Sequence, residues 1–253
     1  MVRLFPFLIA LFSFTSCSAG EGVQSDSKPV SHQIWDELLK KHVNDEGMVD
    51  YKGFIADSTE LNQYLDLLSN HHPNEKNWSK DERLAYWINA YNAFTIKLVI
   101  KHYPVESIKD IGSALNIPFV STPWDIKFIN IEGEEYDLNN IEHGIIREEF
   151  EEPRIHFALV CAAMSCPKLR NEAYVAERLD EQLENEAKEF FNSEKNDISS
   201  DRAVLSKLMK WYSGDFKDVA PSVIAYVNRY SEVKINEDAE IDYKDYSWKL
   251  NEQ

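Results

Sequence analysis

The chain has 253 residues and carries 44 Asp and Glu against 27 Lys and Arg, a formal net charge of −17. That balance repels phosphate backbones and, with no basic stripe in the sequence, excludes nucleic-acid binding and attachment to an anionic membrane face by charge alone. With eight glycines and no Gly-rich phosphate loop, HExxH, CxxC or G-x-S-x-G segment, the common nucleotide-cradling, zinc-protease and serine-hydrolase chemistries are excluded too.

The N-terminus places Arg3 before an apolar run from Leu4 to Phe14. That run is too short to cross a hydrocarbon core, which takes about 20 helical residues, and reads as an export signal. It ends in Phe14-Thr15-Ser16-Cys17, which resembles a bacterial lipobox. On that reading residues 1–17 are a lipoprotein-type signal and a lipid on Cys17 anchors the protein to a membrane. The folded part then lies outside the cytoplasm at a bacterial cell envelope. Ordinary cleavage after Ala19 is the alternative. Residues 18–30 are small and polar and predict a flexible tether. Residues 31–253 show no internal repeat and no second linker, and a single domain is expected.

Ile34, Leu38 and Leu39, with Trp35 beside them, predict a helix over 31–43. Tyr51 and Phe54 follow a turn, and Leu61, Tyr64, Leu65 and Leu68 mark a second helix. Ser79-Lys80-Asp81-Glu82 has the form of a capping box. It opens a helix near residues 80–102 that is apolar in most directions, wet only near Tyr86, Lys97 and Lys101, and therefore central and buried. Tyr103-Pro104 ends it. The stretches 124–131 and 135–138 alternate around Glu132-Gly133 and predict a hairpin. A helix is expected from Asn139-Asn140 to Phe150, a buried strand over 155–160 and a helix over 176–191. Val204-Leu205 with Leu208 and Trp211 predicts a strand and turn, 222–230 a helix and 243–250 an extended segment. Helices and short strands mix without βα alternation. The expected class is α+β, helix-rich with a small, mostly antiparallel sheet.

Several phrases occur together in order: Tyr86-Trp87-Ile88-Asn89-Ala90-Tyr91-Asn92-Ala93, Tyr103-Pro104-Val105-Glu106-Ser107-Ile108, Ile141-Glu142-His143-Gly144-Ile145-Ile146-Arg147, Arg154 to Tyr174, and Tyr246-Ser247-Trp248-Lys249-Leu250-Asn251. Over about Trp35 to Asn251 the chain resembles the domain-of-unknown-function family 547. The resemblance implies occurrence in bacterial exported proteins and in plant proteins fused to a coiled coil, and it implies no settled activity. The family pattern usually has Ser two positions after the first cysteine of Arg154 to Arg170, where this chain has Ala163.

Cys161, at the end of an apolar run, is the candidate nucleophile of a cysteine-dependent hydrolase or acyl transferase. His143 is its candidate base and Glu142 the group orienting that base. Regular strand geometry puts His156, five residues away, on the opposite face from Cys161. Asn89, Asn92, Trp87, Tyr91 and His156 are candidate ligand-binding residues, with fold-fixing hydrogen bonds as the plainer role for the amides. The competing class is a non-catalytic binding or assembly module whose aromatic residues hold a peptide or sugar. No metal site and no cofactor is implied, since His143, His156, Cys161 and Cys166 lack zinc spacing. Cys161 and Cys166, the two thiols left once Cys17 is lipidated, are expected within disulfide reach. Such a bond closes a six-residue loop, contributes about 2 kcal/mol at most, and masks Cys161.

Overall fold

The computed structural model describes residues 25–111 and 122–253. The expected signal, Cys17 and the first part of the tether lie outside the described residues. From Ser25 onward the chain is hydrogen-bonded to the folded body: the Ser27 carbonyl accepts from the Trp78 indole at 3.1 Å and from the Asn74 amide at 3.0 Å.

Helix α1 (Gln33–His42) buries Trp35, Leu38, Leu39 and His42, the spacing of one helical face. Helix α2 (Tyr51–Ala56) opens where the Asp50 carboxylate accepts from the Gly53 amide, and α3 (Ser58–Ser69) buries Leu61, Tyr64, Leu65 and Leu68. Helix α4 (Lys80–His102) starts at the expected capping box, with Ser79 and Glu82 bonded reciprocally, and fifteen of its residues are buried. One expectation fails there. Tyr86 is fully buried rather than on a wet strip, because its hydroxyl reaches the Leu68 carbonyl at 2.8 Å and its ring meets Trp78 edge-on. The helix ends at a cis Tyr103-Pro104 bond.

The hairpin is shorter than the alternation implies. Strands β1 (Ile129–Ile131) and β2 (Glu134–Tyr136) pair antiparallel, with Ile129 opposite Tyr136. Both turn residues, Glu132 and Gly133, have positive φ, as tight hairpin turns require. Pro123–Asp125 is a 3-10 turn instead of strand, capped by Thr122 and Asp125. The helix expected through Phe150 is π-helical over Asn140–Ile146 and becomes α5 at Arg147–Glu149.

The strand expected over 155–160 is absent. Pro153–Phe157 coils into a 3-10 turn with the Glu152 side chain accepting from the Arg154 amide, Ala158 keeps a helical backbone, and the Ala158 and Leu159 amides both bond the Ile155 carbonyl at 2.9 Å. Two further backbone groups of this run are satisfied by a side chain. Asn92 donates to the Ala158 carbonyl at 2.9 Å and accepts from the Val160 amide at 2.9 Å. Apolar runs of this length mark burial without distinguishing strand from coil.

Helix α6 (Leu179–Phe191) is followed by β3 (Asp197–Ile198) and β4 (Arg202–Leu205). The region of Leu208 and Trp211 is helical, as α7 (Leu208–Trp211), and leads into α8 (Ser213–Asp218), α9 (Val223–Tyr230) and β5 (Glu240–Tyr243). Strand β4 pairs antiparallel with β3 and parallel with β5. The class is α+β, helix-rich with two small sheets among the described residues, mostly antiparallel.

Among the described residues the buried side chains form two clusters. The larger surrounds α4. The smaller joins Phe157 to Phe190, Phe191, Phe216 and Tyr226, and Tyr246 packs against both. Among the described residues no helix is long and apolar enough to cross a membrane.

Candidate functional site

The π-helix carries Glu142 and His143. Inserting one residue per turn widens the helix locally, and such segments concentrate at functional sites. Here Ile141 and Ile146, five apart, are both fully buried, and Glu142 is drawn inward to 7% exposure. Its carboxylate accepts from the Tyr212 hydroxyl at 2.6 Å, a contact across 70 residues of sequence. The buried Tyr91 hydroxyl interacts with the same carboxylate and with the Trp124 indole. Burial, and then the charge of Glu142, push the phenols of Tyr212 and Tyr246 well above the ordinary tyrosine range, so both keep their protons.

Beside this carboxylate lies an ionic chain. Arg147 holds Asp215 with two hydrogen bonds of 2.7 and 2.6 Å, and His156 Nε2 lies 2.8 Å from the same carboxylate. The His156 ring stacks on Tyr212 with centroids 3.7 Å apart. Burial lowers the His156 pKa against the pull of Asp215, so the ring is neutral and its Nε2–H donates. Burial disfavours the Asp215 carboxylate, but its bonds to His156 and Arg147 win and hold it well below the usual carboxylate range. His143 is largely exposed, with Nδ1 3.0 Å from the Arg147 guanidinium and 3.9 Å from Glu142.

Cys161 and Cys166 are joined as a disulfide, S–S 2.10 Å with Cα atoms 6.2 Å apart. The Cys161 amide donates to Cys166 Sγ at 3.1 Å, and the Tyr246 hydroxyl sits 3.3 Å from one sulfur and 3.2 Å from the other. Ala162 turns the loop with φ +57°, a left-handed conformation uncommon outside glycine. Tyr246 packs in turn on Trp248 and Trp211, at 4.6 and 4.8 Å between centroids, and Trp124 stands edge-on to Trp248 at 5.5 Å. Trp211 is 48% exposed. Lys109 Nζ lies 4.4 Å above the Trp248 ring.

The structure thus gathers Glu142, His143, His156 and Tyr91 around Tyr212. Cys161 joins that group through Tyr246, with His143 bonded to Arg147 rather than to the sulfur. Trp87 stands elsewhere, edge-on to His72 and Tyr136. Asn89 and Asn92 are buried and bonded to backbone, Asn89 to both the carbonyl and the amide of Tyr174 at 2.7 and 3.0 Å. Among the described residues no group of three His, Cys, Asp or Glu is placed to hold a metal ion. Tyr212 and Asp215 escape a sequence reading altogether, because nothing local marks them. Tyr246, Trp248 and Trp211 were visible there only as parts of a family phrase and an apolar pattern.

No curated protein and no solved structure matches the chain. Residues 75–191, from ahead of α4 through the π-helix and the disulfide loop to the end of α6, match the family described as "Protein of unknown function, DUF547", so this part of the chain carries that family's pattern while Tyr212, Asp215 and Tyr246 lie beyond the matched stretch.

Proposed function

We propose that the protein is a binding module, exported and held by a lipid on Cys17 at a bacterial cell envelope, which takes a sugar or peptide on the aromatic surface of Trp211, Tyr246 and Trp248. The observation that carries this reading is the half-exposed Trp211, stacked at 23° to Trp248 with Tyr246 between them. Indole faces held in place by neighbouring rings lose little freedom on binding, and sugar C–H faces and apolar peptide side chains pack against them. A ligand of this kind also suits an acidic chain with no phosphate-binding loop. The binding reading is favoured over a cysteine-dependent hydrolase because the Cys161 sulfur is already bonded to Cys166, leaving no free thiol to attack a carbonyl. The test is thermal shift with a panel of cell-wall saccharides and peptides, since a ligand of the folded state raises the melting midpoint. Trp211→Ala should abolish the shift produced by any hit without lowering the midpoint of the free protein. A shift that survives this substitution refutes the site.

A further inference from the structure

A six-residue disulfide loop in a chain with two large buried clusters is a poor structural staple, since the entropy of closing so short a loop is small. Its surroundings point to another use. The two cysteines differ in exposure: Cys161 is half-buried, whereas Cys166 is 1% exposed. An incoming thiolate reaches the Cys161 sulfur first, and the sulfur it displaces is Cys166. Two donors converge on that displaced sulfur, the Cys161 amide at 3.1 Å and the Tyr246 hydroxyl at 3.2 Å. Hydrogen bonds to a departing thiolate lower its basicity, and exchange quickens as the leaving thiol becomes more acidic. Burial, and then the charge of Glu142, keep Tyr246 protonated, and so able to donate.

The loop is also held open-ended. Met164 N–H bonds the Lys249 carbonyl at 2.7 Å and Ser165 N–H the Ser247 carbonyl at 3.2 Å, in the same segment that carries Tyr246. These bonds keep both sulfurs in register with the phenol when the S–S bond is broken, so the pair can reclose.

We propose that Cys161–Cys166 is an exchange-active disulfide that accepts electrons from cysteine thiols of a polypeptide, with Cys161 taking the attack and Cys166 leaving to Tyr246 and the Cys161 amide. The substrate thiolate forms a bond to Cys161 Sγ as the S–S bond breaks, and the electron pair goes to Cys166, which takes up a proton. A second substrate thiol attacks the mixed disulfide and displaces Cys161 as a thiol. Two substrate thiols become one disulfide and the protein becomes a dithiol, a two-electron transfer. Trp211 and Trp248, packed against Tyr246, give a peptide chain apolar surface beside the sulfur, and this activity does not require the binding reading to hold.

The experiment treats the folded, oxidised protein with reduced glutathione as the thiol probe, quenches with acid, alkylates and reads the cysteines by mass spectrometry. Glutathione should open the disulfide in native buffer, and Tyr246→Phe, confirmed folded by circular dichroism, should slow opening about tenfold through the lost hydrogen bond. A Tyr246 that merely shields the bond predicts faster opening in that variant. With oxidised glutathione, Cys166→Ser should form a mixed disulfide at Cys161, and Cys161→Ser should leave Cys166 unmodified. A disulfide untouched by glutathione in the folded state, a Tyr246→Phe variant opened as fast as the parent or faster, or glutathione found on Cys166 each overturns the proposal.

Discussion

Asn89 and Asn92 do with a side-chain amide what a neighbouring strand does elsewhere, since each pairs a carbonyl and an amide of a buried segment that lies outside any strand. Removing either leaves two backbone groups desolvated without a partner, at about 1–3 kcal/mol per group. Asn89→Ala is expected to cost about 3 kcal/mol in urea unfolding, with the slope unchanged. The apolar surroundings of both amides in α4 were legible in the sequence, but their partners, 66 to 85 residues away, were not, because a side chain that bonds backbone leaves no pattern in the segment it serves. A second residue-scale effect is acid lability. Burial lowers the pKa of His32 to about 4 and lowers that of His156, while Asp215 is held below the usual carboxylate range despite burial, by His156 and Arg147. In the unfolded chain the imidazoles protonate near 6.5. Their contribution to stability is complete above that value and is lost as the pH falls through the lowered folded values, with Asp215 extending the loss further to the acid side. The urea midpoint should therefore fall between about pH 6.5 and 4, and His32→Gln should flatten that fall. A midpoint constant over this range contradicts the assignment.

At the scale of elements, the π-helix decides which way Glu142 points. The sequence suggests a helix opened by Asn139 and Asn140, with Ile141, Ile145 and Ile146 all apolar. The residue that shares full burial with Ile141 is Ile146, while Ile145 is only partly covered. One extra residue in a turn moves the inner face by a position, a change too small for a hydrophobic period to register over seven residues. The strand expected over 155–160 fails for a related reason, since Pro153 withholds an amide and the buried run finds its hydrogen bonds in Asn92. Two glycines separate the consequences. A Cβ at Gly144 meets nothing within 4 Å. Gly144→Ala should leave the melting point unchanged or raise stability by up to about 1 kcal/mol. Gly47 has φ +75°, and a Cβ there meets Lys168 and, at 2.7 Å, the Leu169 amide. Gly47→Ala should lower stability by at least about 1–2 kcal/mol in thermal melts.

For the whole molecule, the segment from Tyr246 to Gln253 ties remote parts together. Leu250 N–H bonds the Glu106 carbonyl at 2.9 Å, Val49 N–H bonds the Asn251 carbonyl at 2.9 Å, and the Tyr51 hydroxyl reaches Asn251 Oδ1 at 2.7 Å. Tyr246 touches both hydrophobic clusters. Deleting residues 246–253 should abolish the single cooperative unfolding transition and expose the amides of α1 and α2 to hydrogen exchange within minutes. A truncated protein that still melts sharply contradicts this. The α+β class was legible because it rests on local periods. The tie was not, because the closing segment reads as a short extended run whose partners lie along the entire chain. The last contact has a consequence for timing. Tyr51 waits for a residue 200 positions later. At about 5–20 residues per second of synthesis the wait is on the order of 10–40 seconds. During synthesis the Tyr51 hydroxyl therefore stays without this partner for that interval, and the edge of α2 that Asn251 covers closes only after the segment carrying Asn251 has been made.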